Sequence, residues 1–101
     1  MRHFALILST SEPRGDWSRV TALAREARAR GIEVGLFLMD LGVGFAATQA
    51  AADLIEDDVE ITVCGNSYTQ QGITAVPGAI IGSQDDHAAL LHRADRVLAF
   101  T

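Results

Sequence analysis

The chain has 101 residues, of which 49% are hydrophobic and 21% are charged; this length allows one core, so we expect a single domain over residues 1–101. Thirteen acidic against eight basic residues give a net charge of -5, which disfavours nucleic acid and anionic membranes as partners. Every basic residue is an arginine, which excludes Schiff-base chemistry and lysine-dependent phosphate loops.

Neither a targeting signal nor a membrane helix is indicated by the apolar segments. The apolar start at residues 3–8 is too short for a secretory signal core, and no apolar run approaches the about 20 residues that a membrane helix needs. The one cysteine, Cys64, forms neither an internal disulfide nor a multi-cysteine metal site. We therefore expect a cytoplasmic protein without a metal or cofactor.

The first half of the chain alternates strand-like and helix-like segments. Residues 4–8 are apolar on both faces, which predicts a central first strand. Asp16 is the candidate N-cap of an amphipathic helix that ends at Gly31. Residues 34–39 predict a second strand, and Gly42 starts the turn that follows it.

The second half continues this alternation. An alanine-rich helix is predicted from Phe45, and residues 59–64 predict a third strand that ends at Cys64. A short helix over 67–71 and a loop with a brief strand over 73–82 follow.

The last segments contain the clearest helix start in the sequence. Ser83 and Asp86 form a capping-box pattern for a helix to Arg93, and residues 96–100 predict a closing strand. The whole order predicts a three-layer α/β/α fold with a mostly parallel sheet of four to five strands.

The candidate site lies where the strands end, because ligands of open parallel sheets bind outside the carboxyl ends of the strands. Cys64 is the one strong nucleophile in the loops there, and its place before a helix start favours the thiolate. We predict Cys64 as the catalytic residue. The residues predicted to stabilise the thiolate or line the pocket are Ser9, Thr10, Arg14, Asp40, Gly42, Gly65, Asn66 and Ser67.

Other interpretations of these residues stay open. A lone cysteine on a strand is commonly a small buried hydrophobe, so a packing role for Cys64 is the main alternative. His87 and His92 lie five positions apart on different helix faces, which argues against a shared metal, whereas His87 is a candidate proton partner for Cys64. Glu12 in the first loop disfavours a phosphate-bearing flavin or nucleotide.

Three segments together resemble the DsrE/DsrF-like family. The sequence CGNSYTQQGI at 64–73 is similar to its cysteine segment, and DLGV at 40–43 loosely matches its "DGV"-like turn. The closing segment ADRVLAF at 94–100 is similar to its last strand. The resemblance therefore extends over almost the whole chain.

This resemblance implies a DsrE/DsrF-like α/β/α fold, assembly into homo-trimers or hexamers, and a sulfur-relay function. In such a relay the matching Cys64 accepts sulfur as a persulfide from a donor protein and passes it to an acceptor protein. The alternative is a non-catalytic oligomeric relative that binds a small ligand at the same pocket. Gln71 stands where related sequences often carry a basic residue, which leaves the helix start and Arg14 to stabilise the thiolate.

Overall fold

In the computed structural model, which describes residues 2–12 and 15–101, five strands alternate with four α-helices. The strands are β1 (His3–Leu8), β2 (Glu33–Leu38), β3 (Glu60–Cys64), β4 (Ile80–Gly82) and β5 (Arg96–Phe100). The helices are α1 (Asp16–Ala29), α2 (Gln49–Glu56), α3 (Gly65–Gln71) and α4 (Gln84–Arg93), and a 3₁₀ segment (Asp40–Ala47) precedes α2.

The strands form one parallel sheet in the order β4-β3-β2-β1-β5. From β1 to β4 the chain moves stepwise in one direction, whereas the connection through α4 returns to the other side of β1. Because parallel crossovers are right-handed, α1, α2 and α3 lie on one face of the sheet and α4 on the other. The predicted three-layer fold is confirmed.

The alternation of side chains along each strand divides the core into two parts. The larger part lies between the sheet and the first three helices, and its largest buried side chains include Leu6, Leu36, Phe45 and Ile61. The smaller part lies under α4 and consists of Ala5, Ile7, Phe37, Cys64 and Leu90. Cys64 thus faces the layer that a single helix covers.

The start of α1 differs from the prediction. The cap position is Gly15, whose φ of 77° is a conformation that glycine adopts at no steric cost. Asp16 is the first helical residue, and its buried carboxylate accepts hydrogen bonds from the hydroxyl of Thr10 at 2.6 Å and from Arg19 at 2.9 Å. The expected capping role of Asp16 was wrong, because this carboxylate anchors the preceding loop instead.

The second helix also begins later than predicted. The chain forms the 3₁₀ segment Asp40–Ala47 first, and α2 begins after Thr48, whose hydroxyl accepts the N–H of Ala51 at 3.2 Å. The segment crosses the end of β1 so closely that a Cβ on Gly42 would collide with the carbonyl oxygen of Leu8. This close approach and the poor helix propensity of glycine favour the tighter segment over a regular helix.

The third and fourth helices follow the sequence more closely. Helix α3 begins two residues earlier than predicted, directly after Cys64, and ends at Gly72 with a φ of 64°. Both hydrogen bonds of the predicted capping box between Ser83 and Asp86 are present at the start of α4. Helix α3 thus ends at Gln71, before the segment that contains β4, and α4 begins at Gln84, after it.

We expect Gly42→Ala to destabilise the fold by about 1–3 kcal/mol, because the added methyl group meets the backbone of a central strand that cannot move aside. Urea unfolding measures this change. The exposed Ala47 lies in the same 3₁₀ segment, so Ala47→Ser should stay within about 0.5 kcal/mol of the wild type. Equal stability of the two variants would contradict the close approach.

Candidate functional site

The candidate site is centred on Cys64, the last residue of β3 at the carboxyl edge of the sheet. The alternation of β3 directs Val63 into the larger core and Cys64 to the α4 side. Cys64 is 7% exposed and packs beside Phe37 and Leu90. Its neighbour in the sheet register is Gly82, which contributes no side chain.

The start of α3 supplies hydrogen-bond donors to the sulfur, because the first N–H groups of a helix have no partner within the helix. Cys64 is the N-cap residue of α3. Among the described residues, its side chain accepts no capping hydrogen bond of regular geometry. The backbone N–H of Ser67 nevertheless approaches the sulfur and is the largest cause that lowers the pKa of Cys64 below its usual value. Burial opposes this shift, and the N–H of Asn66 adds to it.

The hydroxyl group of Ser67 connects the sulfur to the loop after β2. Its oxygen accepts the backbone N–H of Asp40 at 3.0 Å, so its hydrogen is free to point elsewhere. Its interaction with the sulfur also lowers the pKa of Cys64. Asp40 has a positive φ of 49° and joins the site through its backbone.

Gln84, a residue that the sequence analysis missed, donates a hydrogen bond to the sulfur. Its amide nitrogen Nε2 lies 3.7 Å from Sγ of Cys64, and this contact again lowers the pKa of the thiol. Its amide oxygen lies 3.0 Å from Nδ1 of His87, whose ring stacks on Phe37. No local sequence signal identifies Gln84, because it reaches the sulfur through the pairing of β4 with β3 at Cys64.

Other predicted site residues have different contacts. Ser9 donates to the carbonyl oxygen of Phe100, and Thr10 donates to Asp16. Both follow β1, which lies two strands from β3, roughly 10 Å across the sheet.

Two of the remaining predicted residues also make contacts away from the sulfur. Gly42 lies against the end of β1, and the carbonyl oxygen of Gly65 accepts the hydroxyl of Thr69 within α3. Arg14 lies outside the described residues. The structure therefore brings Cys64 together with Asn66, Ser67 and the backbone of Asp40.

The described residues contain no group of three or more histidine, cysteine, aspartate or glutamate side chains that could hold a metal ion. None of the described helices has both the length and the apolar character to cross a membrane.

The sequence profile of the DsrE/DsrF-like family matches residues 1–100. The chain belongs to the DsrE/DsrF-like family. The membership that the sequence resemblance predicted is thereby confirmed.

Solved structures show the same fold at low sequence identity. The YchN protein from E. coli superposes with a TM-score of 0.80 at 19% identity and covers 99% of this chain and 100% of its own. The conserved protein BT1422 of Bacteroides thetaiotaomicron has a TM-score of 0.80 at 12% identity, covering 97% of this chain and 94% of its own. Protein MTH1491 of Methanobacterium thermoautotrophicum has a TM-score of 0.72 at 13% identity, covering 99% and 100%. No curated protein matches this sequence significantly.

We expect Ser67→Ala to raise the pKa of Cys64, because the variant loses the hydroxyl donor and leaves the N–H of Asp40 without its acceptor. The ultraviolet absorbance of the thiolate, titrated against pH and corrected with Cys64→Ser, measures this pKa directly. Asn66 is exposed and acts on the sulfur through its backbone, so Asn66→Ala should titrate like the wild type. Identical curves for all three proteins would show that the hydroxyl does not act on the sulfur.

Proposed function

We propose that this protein is a sulfur carrier in which Cys64 accepts a sulfur atom as a persulfide and passes it to a partner protein. The observation that supports this function best is the set of donors around Sγ. They come from the backbone of Ser67 and Asn66, the hydroxyl of Ser67 and the amide of Gln84, and they lower the pKa of the thiol. A thiolate is the form of cysteine that attacks sulfur.

The loading step is a thiolate exchange. The Cys64 thiolate attacks the outer sulfur of a donor persulfide, R–S–SH, and a new S–S bond forms as the bond within the donor breaks. The donor leaves as R–S⁻ and takes up the proton of its former S–H group, so it ends as a thiol. No net oxidation occurs, because the S–S bond is moved and not created.

The unloading step repeats this exchange with a second protein. A thiolate of the acceptor attacks the outer sulfur on Cys64, and the Cys64 thiolate leaves toward the same donors that stabilised it before. Since the chain has one cysteine, no internal thiol can release the sulfur, and the acceptor must supply that group. We place this relay in the reducing cytoplasm, where a lone thiol stays reduced.

The burial of Cys64 favours a second candidate function. With 7% of its surface exposed and with Ile7, Phe37 and Leu90 around it, Cys64 also fits the packing role of a small hydrophobe. In that case the protein is a non-catalytic oligomeric member of the family, with a small ligand at the same edge of the sheet. The reactivity of the sulfur distinguishes the two functions.

We expect one additional sulfur atom on the wild-type protein after incubation with a low-molecular-weight persulfide donor, and none on Cys64→Ser. Intact-protein mass spectrometry measures the added mass, and a reducing agent should remove it. The variant Asn66→Ala keeps the thiol and its donors and should load like the wild type. If the wild type stays unmodified under conditions that load an established sulfur carrier, the packing function is the correct one.

The homo-oligomer implied by the family resemblance has support in the exposed side chains. Large apolar side chains are exposed on the two edge strands of the sheet and on α4. They are 38–50% exposed and belong to Ile80, Ile81, Leu91, Val97 and Leu98. Large apolar side chains left exposed on edge strands can be covered by a second copy of the chain. We expect sedimentation velocity to show a trimer or hexamer, and Val97→Lys to shift it toward smaller species, whereas a monomeric wild type would contradict the assembly.

A further inference from the structure

Gln84 joins Cys64 to His87 through the two ends of one amide group. Its nitrogen lies 3.7 Å from Sγ, and its oxygen lies 3.0 Å from Nδ1 of His87. Gln84 and His87 both lie in the first turn of α4. Their side chains therefore lie next to the carboxyl edge of the sheet. Cys64 is 20 residues away along the chain from Gln84, and the fold alone brings them together.

The chemistry of the amide determines which atom donates at each end. A thiolate only accepts hydrogen bonds, so the NH₂ group of Gln84 must face the sulfur. The amide oxygen only accepts, so Nδ1 of His87 must carry the hydrogen between them. A glutamine side chain suits this place because it has both a donor and an acceptor, whereas glutamate cannot donate and lysine cannot accept.

We propose that Gln84 is a positioning residue whose NH₂ group is held against the Cys64 sulfur by the Nδ1–H of His87. The inference extends the sulfur-carrier function proposed above, and it assigns the stabilisation of the attacking and the leaving thiolate partly to α4. The hydrogen bond from His87 removes the freedom of the amide to rotate its oxygen toward the sulfur, where two electron-rich atoms would repel each other.

His87 itself is fixed by packing. Its ring lies 4.7 Å from that of Phe37 with an angle of 11° between the planes, and Phe37 is fully buried. Two charged residues of α4 have other partners: Asp86 accepts the N–H of Ser83 at 2.8 Å, and Arg93 donates to Glu60 at 3.0 Å. The orientation of His87 therefore follows from the stacked ring and from Gln84.

Four single variants test this arrangement by ultraviolet titration of the thiolate and by the rate of Cys64 alkylation at neutral pH. Gln84→Leu removes both ends of the bridge. His87→Phe keeps a ring to stack on Phe37 but removes the donor, and His87→Asn keeps a donor in the place of Nδ1. His92 is exposed on the same helix, so His92→Asn is the matched control.

We expect Gln84→Leu and His87→Phe to raise the midpoint of thiolate formation and to slow alkylation several-fold at neutral pH. His87→Asn and His92→Asn should stay near the wild type, and the double variant Gln84→Leu with His87→Phe should be no slower than Gln84→Leu alone. An unchanged titration of Gln84→Leu, an unchanged titration of His87→Phe, or a failure of His87→Asn to preserve the wild-type midpoint would each overturn the proposal. Because these readouts require no sulfur transfer, they stand apart from the loading experiment.

Discussion

The two-residue alternation of β3 is the constraint on which the site depends. It directs Ile61 and Val63 into the larger core and leaves Cys64 on the α4 side, at the strand end. A shift of one residue would turn the sulfur toward the larger core and away from Gln84. The same alternation in β2 places Phe37 beside the sulfur, where it supports His87. The same two-residue alternation thus determines on which side of the sheet both Cys64 and Phe37 lie.

Two opposing effects act on the sulfur. Burial disfavours a charged group, whereas hydrogen-bond donors aimed at it favour the charge. Here the donors prevail, and the pKa of Cys64 is lowered in spite of burial. These donors come from the start of α3 and the start of α4, and the loop after β2 orients one of them through the N–H of Asp40. The site therefore depends on three segments at the sheet edge and not on the cysteine segment alone.

The sequence predicted what local patterns determine. The alternation of strands and helices, the end of β3 at Cys64 and the capping box at Ser83 all depend on neighbouring residues, and the structure contains them. The start of α2 was misplaced because the contact of Gly42 with Leu8 joins segments far apart in the chain. Gln84 was missed for the same reason, since an exposed glutamine in a helix has no local feature that predicts a bond to a distant sulfur.

The central claim is that the Cys64 thiolate, held by these donors, is the group that takes up sulfur. The most direct test is the rate of persulfide formation on the wild-type protein, measured by rapid-quench mass spectrometry across a range of pH. We predict that this rate follows the fraction of thiolate and reaches half of its maximum below the pH expected for an ordinary thiol. A rate that does not change while the thiolate titrates, or a fully formed thiolate that takes up no sulfur, would contradict the account.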